Sequence, residues 1–220
     1  MVDSLRVLPH FRQSDKKRNC GAACMAMLFK HYGMHGKMSD ITDKISQTLP
    51  SGSLSCRNYL MIQYALQKGL NCSVVSAKDP RTFIPFCLES GIELFISYHA
   101  NLPEDAGHFV LVSSASPDGV FFNDPQQNPP AGINVYMPYD DLLTRMKYLG
   151  PDDEITRDNV MVLFAKQSAP VSVLTVKTNG HEFPIFENTL DKIHAFVDPY
   201  VNDWLSVEAS PSTSTVGIVV

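Results

Sequence analysis

The sequence predicts an α+β fold with N-terminal helices packed on a C-terminal antiparallel sheet. Apolar residues recur at three- and four-residue steps before residue 70, and β-branched and aromatic runs dominate after it. The two textures do not alternate, which argues against βαβ units. The 220 residues, 44% hydrophobic and 19% charged, suffice to bury a substantial core without disulfide staples.

Each element has its own signal. The first 12 residues read as an extended lead-in, and 13–19 as a polar loop. In CGAACMAMLFKHY, Ala22, Met25, Ala26, Phe29 and Tyr32 form one apolar stripe, so a helix is expected over 20–32. Asn19 is its expected N-cap and Gly33 its stop. Further helices are expected over 39–49 and 56–68, the second closed by Gly69. A short strand over 72–75 and a short helix over 80–90 follow. Strands are then expected over 92–98, 109–113 and 120–123, a helix over 139–148 and a buried strand over 159–165. Beyond Lys166, a strand over 171–176, an amphipathic helix within 183–205 broken at Pro199, and a mobile polar tail over 206–215 are expected. The domain division is 1–166 as one catalytic-sized unit and 167–220 as an extension.

Composition excludes several classes of function. A net charge of −5 is wrong for a dedicated nucleic-acid binder, which needs a basic face. No apolar run reaches the ~18–20 residues that span a bilayer. The N-terminus has no Sec-type signal peptide. Five cysteines, at 20, 24, 56, 72 and 87, are an odd number at irregular spacings and not a disulfide framework. A reducing compartment fits, so the expected location is the cytoplasm, or another cell reached by a route that needs no signal peptide.

An odd thiol invites a search for a reactive one. Cys20 falls in the first turn of the first expected helix, where unpaired amides and the positive end of the macrodipole favour an anion. That is a recognised way to make a nucleophilic thiolate. Lys16, Lys17 and Arg18 add positive charge just before it, and Gly21 leaves room for a substrate backbone. Cys24 lies one turn deeper in the helix, and Cys56, Cys72 and Cys87 sit in apolar contexts, so packing explains those four.

A base is found downstream. Two apolar runs flank Pro117, Asp118 and Gly119, which signals a β-hairpin. His108 and Asp124 each lie eight residues from Ser116, so an unbulged pair centred there sets them directly opposite each other. A one-residue shift substitutes Asn123. A histidine facing a carboxylate has its tautomer fixed and its imidazolium stabilised, as a general base requires. The other histidines (His10, His31, His35, His99, His181 and His194) have no comparable partner in sequence.

Metal readings fail on spacing. Cys20, Cys24, His31 and His35 imitate a zinc-ligand order, but the gap between Cys24 and His31 is far short of the usual ~12 residues. Cys20 and His31 also lie about three turns apart on one helix. No iron–sulfur triad and no glycine-rich phosphate loop is present, so no cofactor is expected.

Gln13 followed by NCGAACMAMLFKHYG at 19–33 resembles the opening of the bacteriocin-processing cysteine peptidases. Those are papain-like domains that cut leader peptides after a double glycine and are usually fused to an export ATPase. GHFVLV at 107–112 is similar to their histidine motif and NDP at 123–125 to their aspartate motif. The resemblance implies a papain-like fold over roughly residues 5–166. It also implies Cys20 as nucleophile, His108 as base, Asp124 as its orienter, and Gln13 with the Cys20 N–H as oxyanion hole. The chain departs from the pattern in three ways. Gln13 lies seven residues before Cys20, one more than the family's spacing. No transmembrane segment or nucleotide-binding domain follows, and 167–220 has no recognised counterpart. Double-glycine specificity therefore does not transfer.

The reading is a stand-alone papain-like cysteine peptidase acting on a protein or peptide substrate, with delivery into another cell as an effector in view. It implies no nucleic-acid partner and no membrane span, and it leaves the oligomeric state open. Two alternatives stay open beside it. One is a glutamine deamidase or transglutaminase-like enzyme using the same thioester chemistry. The other is an inactive binding module, which the four filled positions disfavour.

Overall fold

The computed structural model describes residues 5–14, 19–48, 54–100, 107–149 and 157–166 in full, and the backbone of five further strands between 173 and 219. Helix α1 (Cys20–His31) lies where the spacing placed it, with Gly33 at φ +73° just past its end. It is buried more completely than one stripe implies: every residue from Cys20 to Phe29 is inside. A helix apolar all round is a core helix, and its run of Gly21, Ala22, Ala23, Cys24 and Ala26 keeps it slim enough to be one. Asn19 flanks α1 but does not cap it. Its amide instead donates to Thr42 Oγ1 at 3.3 Å and accepts from the Ser14 N–H at 2.9 Å.

The next two helices are shorter than expected. Helix α2 (Met38–Ile45) stops where its buried face of Ile41, Thr42 and Ile45 ends, because Thr48 one turn on is exposed. Strand β1 (Ser46–Thr48) then pairs with β2 (Leu54–Cys56). Arg57 N–H bonds Ile45 O at 2.9 Å, so α3 (Asn58–Gln67) begins two residues after Cys56. Gly69, at φ +78°, ends it.

The chain then builds the main sheet. It runs through β3 (Leu70–Ala77), α4 (Pro80–Glu89), β4 (Glu93–His99), β5 (Gly107–Ser116), β6 (Gly119–Asn123), β7 (Val135–Pro138), α5 (Tyr139–Arg145) and β8 (Val160–Lys166). Strands β9 (Val173–Thr178) and β10 (His181–Phe186) form a separate antiparallel pair, and β11 (Val201–Trp204) returns to the sheet edge beside β3. Strand order is β11-β3-β8-β4-β5-β6-β7, antiparallel throughout.

Both faces of this sheet are covered. On β8, Val160, Val162 and Phe164 join one core with α1, α2 and α3, while Met161 and Leu163 join a second core with Phe83 and Ile84 of α4 and Leu142 of α5. Two-sided burial explains why the central strands read as near-continuous apolar runs and not as alternating ones.

The C-terminal expectations need correction. The helix expected within 183–205 is replaced at both ends by strands β10 and β11. Pro184 has no N–H for a helix interior, and Phe183, Ile185 and Val201 favour extended backbone. Residues 187–200 lie outside the described set. Of the expected tail, 206–208 form β12 (Ser206–Glu208), paired with β13 (Gly217–Val219), and 209–215 lie outside the described residues. Among the described residues no helix is long and apolar enough to cross a membrane.

Candidate active site

The start of α1, the start of β5 and the turn after β6 converge. Cys20 is the first residue of α1, His108 the second of β5, and Asp124 follows the last residue of β6. His108 Nε2 and Asp124 Oδ1 lie 2.8 Å apart, and the Cys20 thiol is near enough to the same imidazole to help raise it. With Nε2 committed to the carboxylate, Nδ1 is the nitrogen left for sulfur. All three residues are under a tenth exposed (8%, 7% and 5%), a dry setting in which charge–charge bonds weigh heavily.

The hairpin does not bring His108 and Asp124 together in the expected way. Its turn is Ser116 to Gly119, and a bulge at Ser113 shifts the register by one further on, to Val112↔Phe122 and Leu111↔Asn123. Continued outward, that register sets residue 126 across from His108. Asp124 is therefore a diagonal neighbour, within reach of a histidine but not opposite it. Tyr98 on β4 is the residue directly across, and its ring meets the imidazole edge-on at 5.7 Å.

The carboxylate is held from several sides. The Gln126 N–H donates to Oδ1 at 2.8 Å and the Gln127 amide to Oδ2 at 3.0 Å. Burial raises the Asp124 carboxyl, but the His108 bond and charge together with these donors hold it below its ordinary value. For His108, burial works toward lowering the imidazole. The Asp124 bond, the nearby Cys20 and the Asp124 charge overcome it and push the group up to about 9.

The remaining thiols are driven the other way. Burial pushes Cys24 and Cys72 well above the ordinary thiol, Cys56 to about 11 and Cys87 to about 12. For Cys24 and Cys56 the charge of Cys20 adds to the rise. Gly21 serves a different purpose from the one expected: a Cβ there would meet the Cys56 Cβ at 2.9 Å and the Met61 Sδ at 3.2 Å. Its bareness lets β2 and α3 close on α1. Lys16, Lys17 and Arg18 lie outside the described residues.

Sequence reasoning missed a strap. Residues 8–13 run alongside the turn that carries Asp124 and are sewn to it. The Asn123 amide donates to Leu8 O at 3.3 Å and Pro9 O at 2.9 Å, His10 bonds the Asp124 carbonyl at 2.9 Å, and the Gln13 N–H donates to Pro125 O at 2.7 Å. Gln13 is thus fixed by its backbone one residue from Asp124. Its Oε1 is buried without a partner among the described residues. Nothing local in the sequence marks these bonds, which join residues more than a hundred positions apart.

His31 lies at the far end of α1, against Glu93 and not beside Cys20. Among the described residues no group of three or more His, Cys, Asp and Glu could hold a metal ion.

The helices-on-sheet architecture is that of the papain-like cysteine peptidases. The model of the Peptidase C39 family matches residues 8–132, and the chain belongs to that family. Three solved structures share the fold. A double-glycine-motif protease from an AMS/PCAT transporter, in complex with the leader peptide, is 16% identical at TM-score 0.51, covering 76% of this chain and 97% of its own. The peptidase domain of Streptococcus ComA, a bifunctional ABC transporter involved in a quorum-sensing pathway, is 16% identical at TM-score 0.54, covering 73% and 100%. A C39-like peptidase from Bacillus anthracis is 14% identical at TM-score 0.53, covering 76% and 100%. No curated protein matches the sequence.

Proposed function

We propose that the chain is an active cysteine peptidase that hydrolyses a peptide bond through Cys20, His108 and Asp124. The observation that carries this reading is the His108 imidazole bonded to the buried Asp124 carboxylate at 2.8 Å, with the Cys20 thiol beside it at the start of α1. An imidazole held up at about 9 is protonated at neutral pH, so His108 has a proton to give beside the Cys20 sulfur.

The chemistry follows from that pair. The Cys20 sulfur attacks the substrate carbonyl carbon, and the carbonyl electrons move to oxygen. The Gln13 amide and the Cys20 N–H stabilise that oxyanion. His108 gives its proton to the leaving amine as the C–N bond breaks, which leaves a thioester on Cys20. A water molecule then loses its proton to His108 as it attacks the thioester, and the acid product departs as the thiolate re-forms. Asp124 keeps Nε2 protonated and Nδ1 aimed at sulfur throughout.

The substrate is read as a peptide segment, because a structural neighbour is solved with a leader peptide. Residues 1–166 are taken as the catalytic unit, to whose sheet β11 adds an edge strand. A proteome digest compared between wild type and Cys20→Ala tests the reading. New N-termini that need Cys20 are expected. Intact substrates one dalton heavier would replace the peptidase by a deamidase, and no Cys20-dependent change at all would leave only a binding module.

A further inference from the structure

A residue on the strap deepens the peptidase reading, on which this inference rests. His10 sits on the strap, outside every motif that the resemblance rests on. Its Nε2 lies 2.9 Å from the main-chain carbonyl of Asp124. A carbonyl only accepts, so Nε2 must carry the proton, and the tautomer of His10 is set. The other ring nitrogen, Nδ1, is buried with no partner among the described residues. Packing alone would not select a side chain that leaves a buried nitrogen unbonded, since an apolar ring of similar size avoids that penalty.

A second observation shows that the contact is built in. Gly132 faces the junction, where a Cβ would fall 2.6 Å from His10 Nε2 and 2.7 Å from Asp124 O. Any other residue at 132 would push the ring off the carbonyl. The Asp124 N–H donates to the Gly132 O at 2.8 Å, so the same glycine also holds the other end of the Asp124 backbone. Asp124 is thereby gripped at its N–H by Gly132, at its carbonyl by His10 at 2.9 Å and by the longer Gln127 N–H bond at 3.3 Å, and at its carboxylate by Gln126 and Gln127.

We infer that His10 is a positioning residue of the active site: by clamping the Asp124 carbonyl to the N-terminal strap, it sets where the Asp124 carboxylate meets His108. It touches neither substrate nor the reacting sulfur. Its contribution is exact placement of the carboxylate, and a carboxylate displaced from Nε2 stabilises the imidazolium less.

Two readouts need no substrate: Cys20 alkylation by iodoacetamide at neutral pH, and the His108 imidazole followed by NMR across pH. The titration limb of His108 reports how strongly the carboxylate stabilises the imidazolium. His10→Ala is expected to move that limb down by about one pH unit. Glutamine places an amide nitrogen as many bonds from Cα as Nε2, so His10→Gln should keep the limb within a few tenths of a unit of wild type. His10→Asn, whose amide stops short of the carbonyl, should follow alanine. Urea denaturation of all three separates a loss of fold from a shift of the limb. A limb left unmoved by His10→Ala, or moved equally by glutamine and asparagine, would overturn the inference alone. Slow wild-type alkylation that His108→Ala does not change would overturn the peptidase reading and this inference together.

Discussion

Helix α1 carries a histidine–carboxylate pair at each end, and the two pairs do different things. At its start, His108 and Asp124 meet at 2.8 Å with the Cys20 thiol on the other side of the ring. At its end, His31 Nε2 lies 3.2 Å from Glu93 Oε1, while Arg6 bonds Oε2 at 2.5 Å. Both carboxylates are buried. The second, however, already has a permanent cation in Arg6, and among the described residues no cysteine stands beside its imidazole. The helix direction sharpens the contrast: the start of a helix favours an anion such as a thiolate, and its end favours the cations found there. A histidine–carboxylate pair is therefore not itself a site. What distinguishes the first pair is a third group beside it, the Cys20 thiol, whose reaction under the proposed function needs the proton that the pair holds.

Removing that third group should separate the two ends most. Cys20→Ala is expected to lower kcat/KM by on the order of 10⁴-fold or more, whereas His31→Ala should leave it within about twofold. A peptide substrate drawn from the proteome digest supplies the assay. Equal losses in both variants would erase the distinction. Next in size is Asp124→Asn, which keeps the shape but changes the hydrogen bond offered to Nε2. A loss on the order of 10²–10⁴ is expected, as for other triads whose carboxylate is neutralised. Gln13→Ala should cost about 10²-fold in kcat with little change in stability, because removing an oxyanion donor weakens only the transition state. A rise in KM alone would reassign Gln13 to substrate binding.

The start of α1 also predicts a pH response. His108 is raised in the folded state, so its contribution to stability is complete below the ordinary imidazole value of ~6.5 and is lost as pH rises through about 9. Asp124 is lowered, so its contribution is present above the ordinary carboxyl value of ~3.9 and is lost as pH falls below it. Cleavage should fade over the same alkaline limb, when the leaving amine no longer finds a proton. In His108→Ala protein the alkaline loss of stability should diminish in a urea series from pH 7 to 10. An unchanged slope would detach that limb from His108.

How much of this was legible in the sequence depends on distance along the chain. The helix that begins at Cys20 was legible because it is a local event, written in the apolar residues that follow and in Gly33 past its end, although Asn19 does not cap it. The His108–Asp124 pair was legible only as a hairpin. The bulge at Ser113 and the Ser116–Gly119 turn changed its register, yet the long imidazole reached across the diagonal. The strap and the Arg6–Glu93 bond were illegible, since nothing near Arg6 announces a carboxylate 87 positions away. At the C-terminal end, apolar spacing in 183–205 suggested a helix, whereas 183–186 and 201–204 lie in strands. The missing N–H of Pro184 marks the first of them, and 187–200 lie outside the described residues.

The smallest expected effect tests whether the two ends are independent. Arg6→Ala leaves Glu93, with 4% of its side chain exposed, facing His31 alone. A buried carboxylate deprived of its cation is costly, but Arg6 is itself 32% exposed and water screens part of the loss, so about 1–2 kcal/mol of stability is expected to go. Adding Glu93→Gln should return part of that loss, because the uncompensated charge is then gone. Throughout, kcat/KM should hold, since Asn123, His10 and Gln13 anchor the strap to the Asp124 turn independently of Arg6. A fall in kcat/KM that tracks the fall in stability, and that Glu93→Gln also reverses, would mean the strap transmits the Glu93 clasp to the triad. The far end of α1 would then belong to the active site after all.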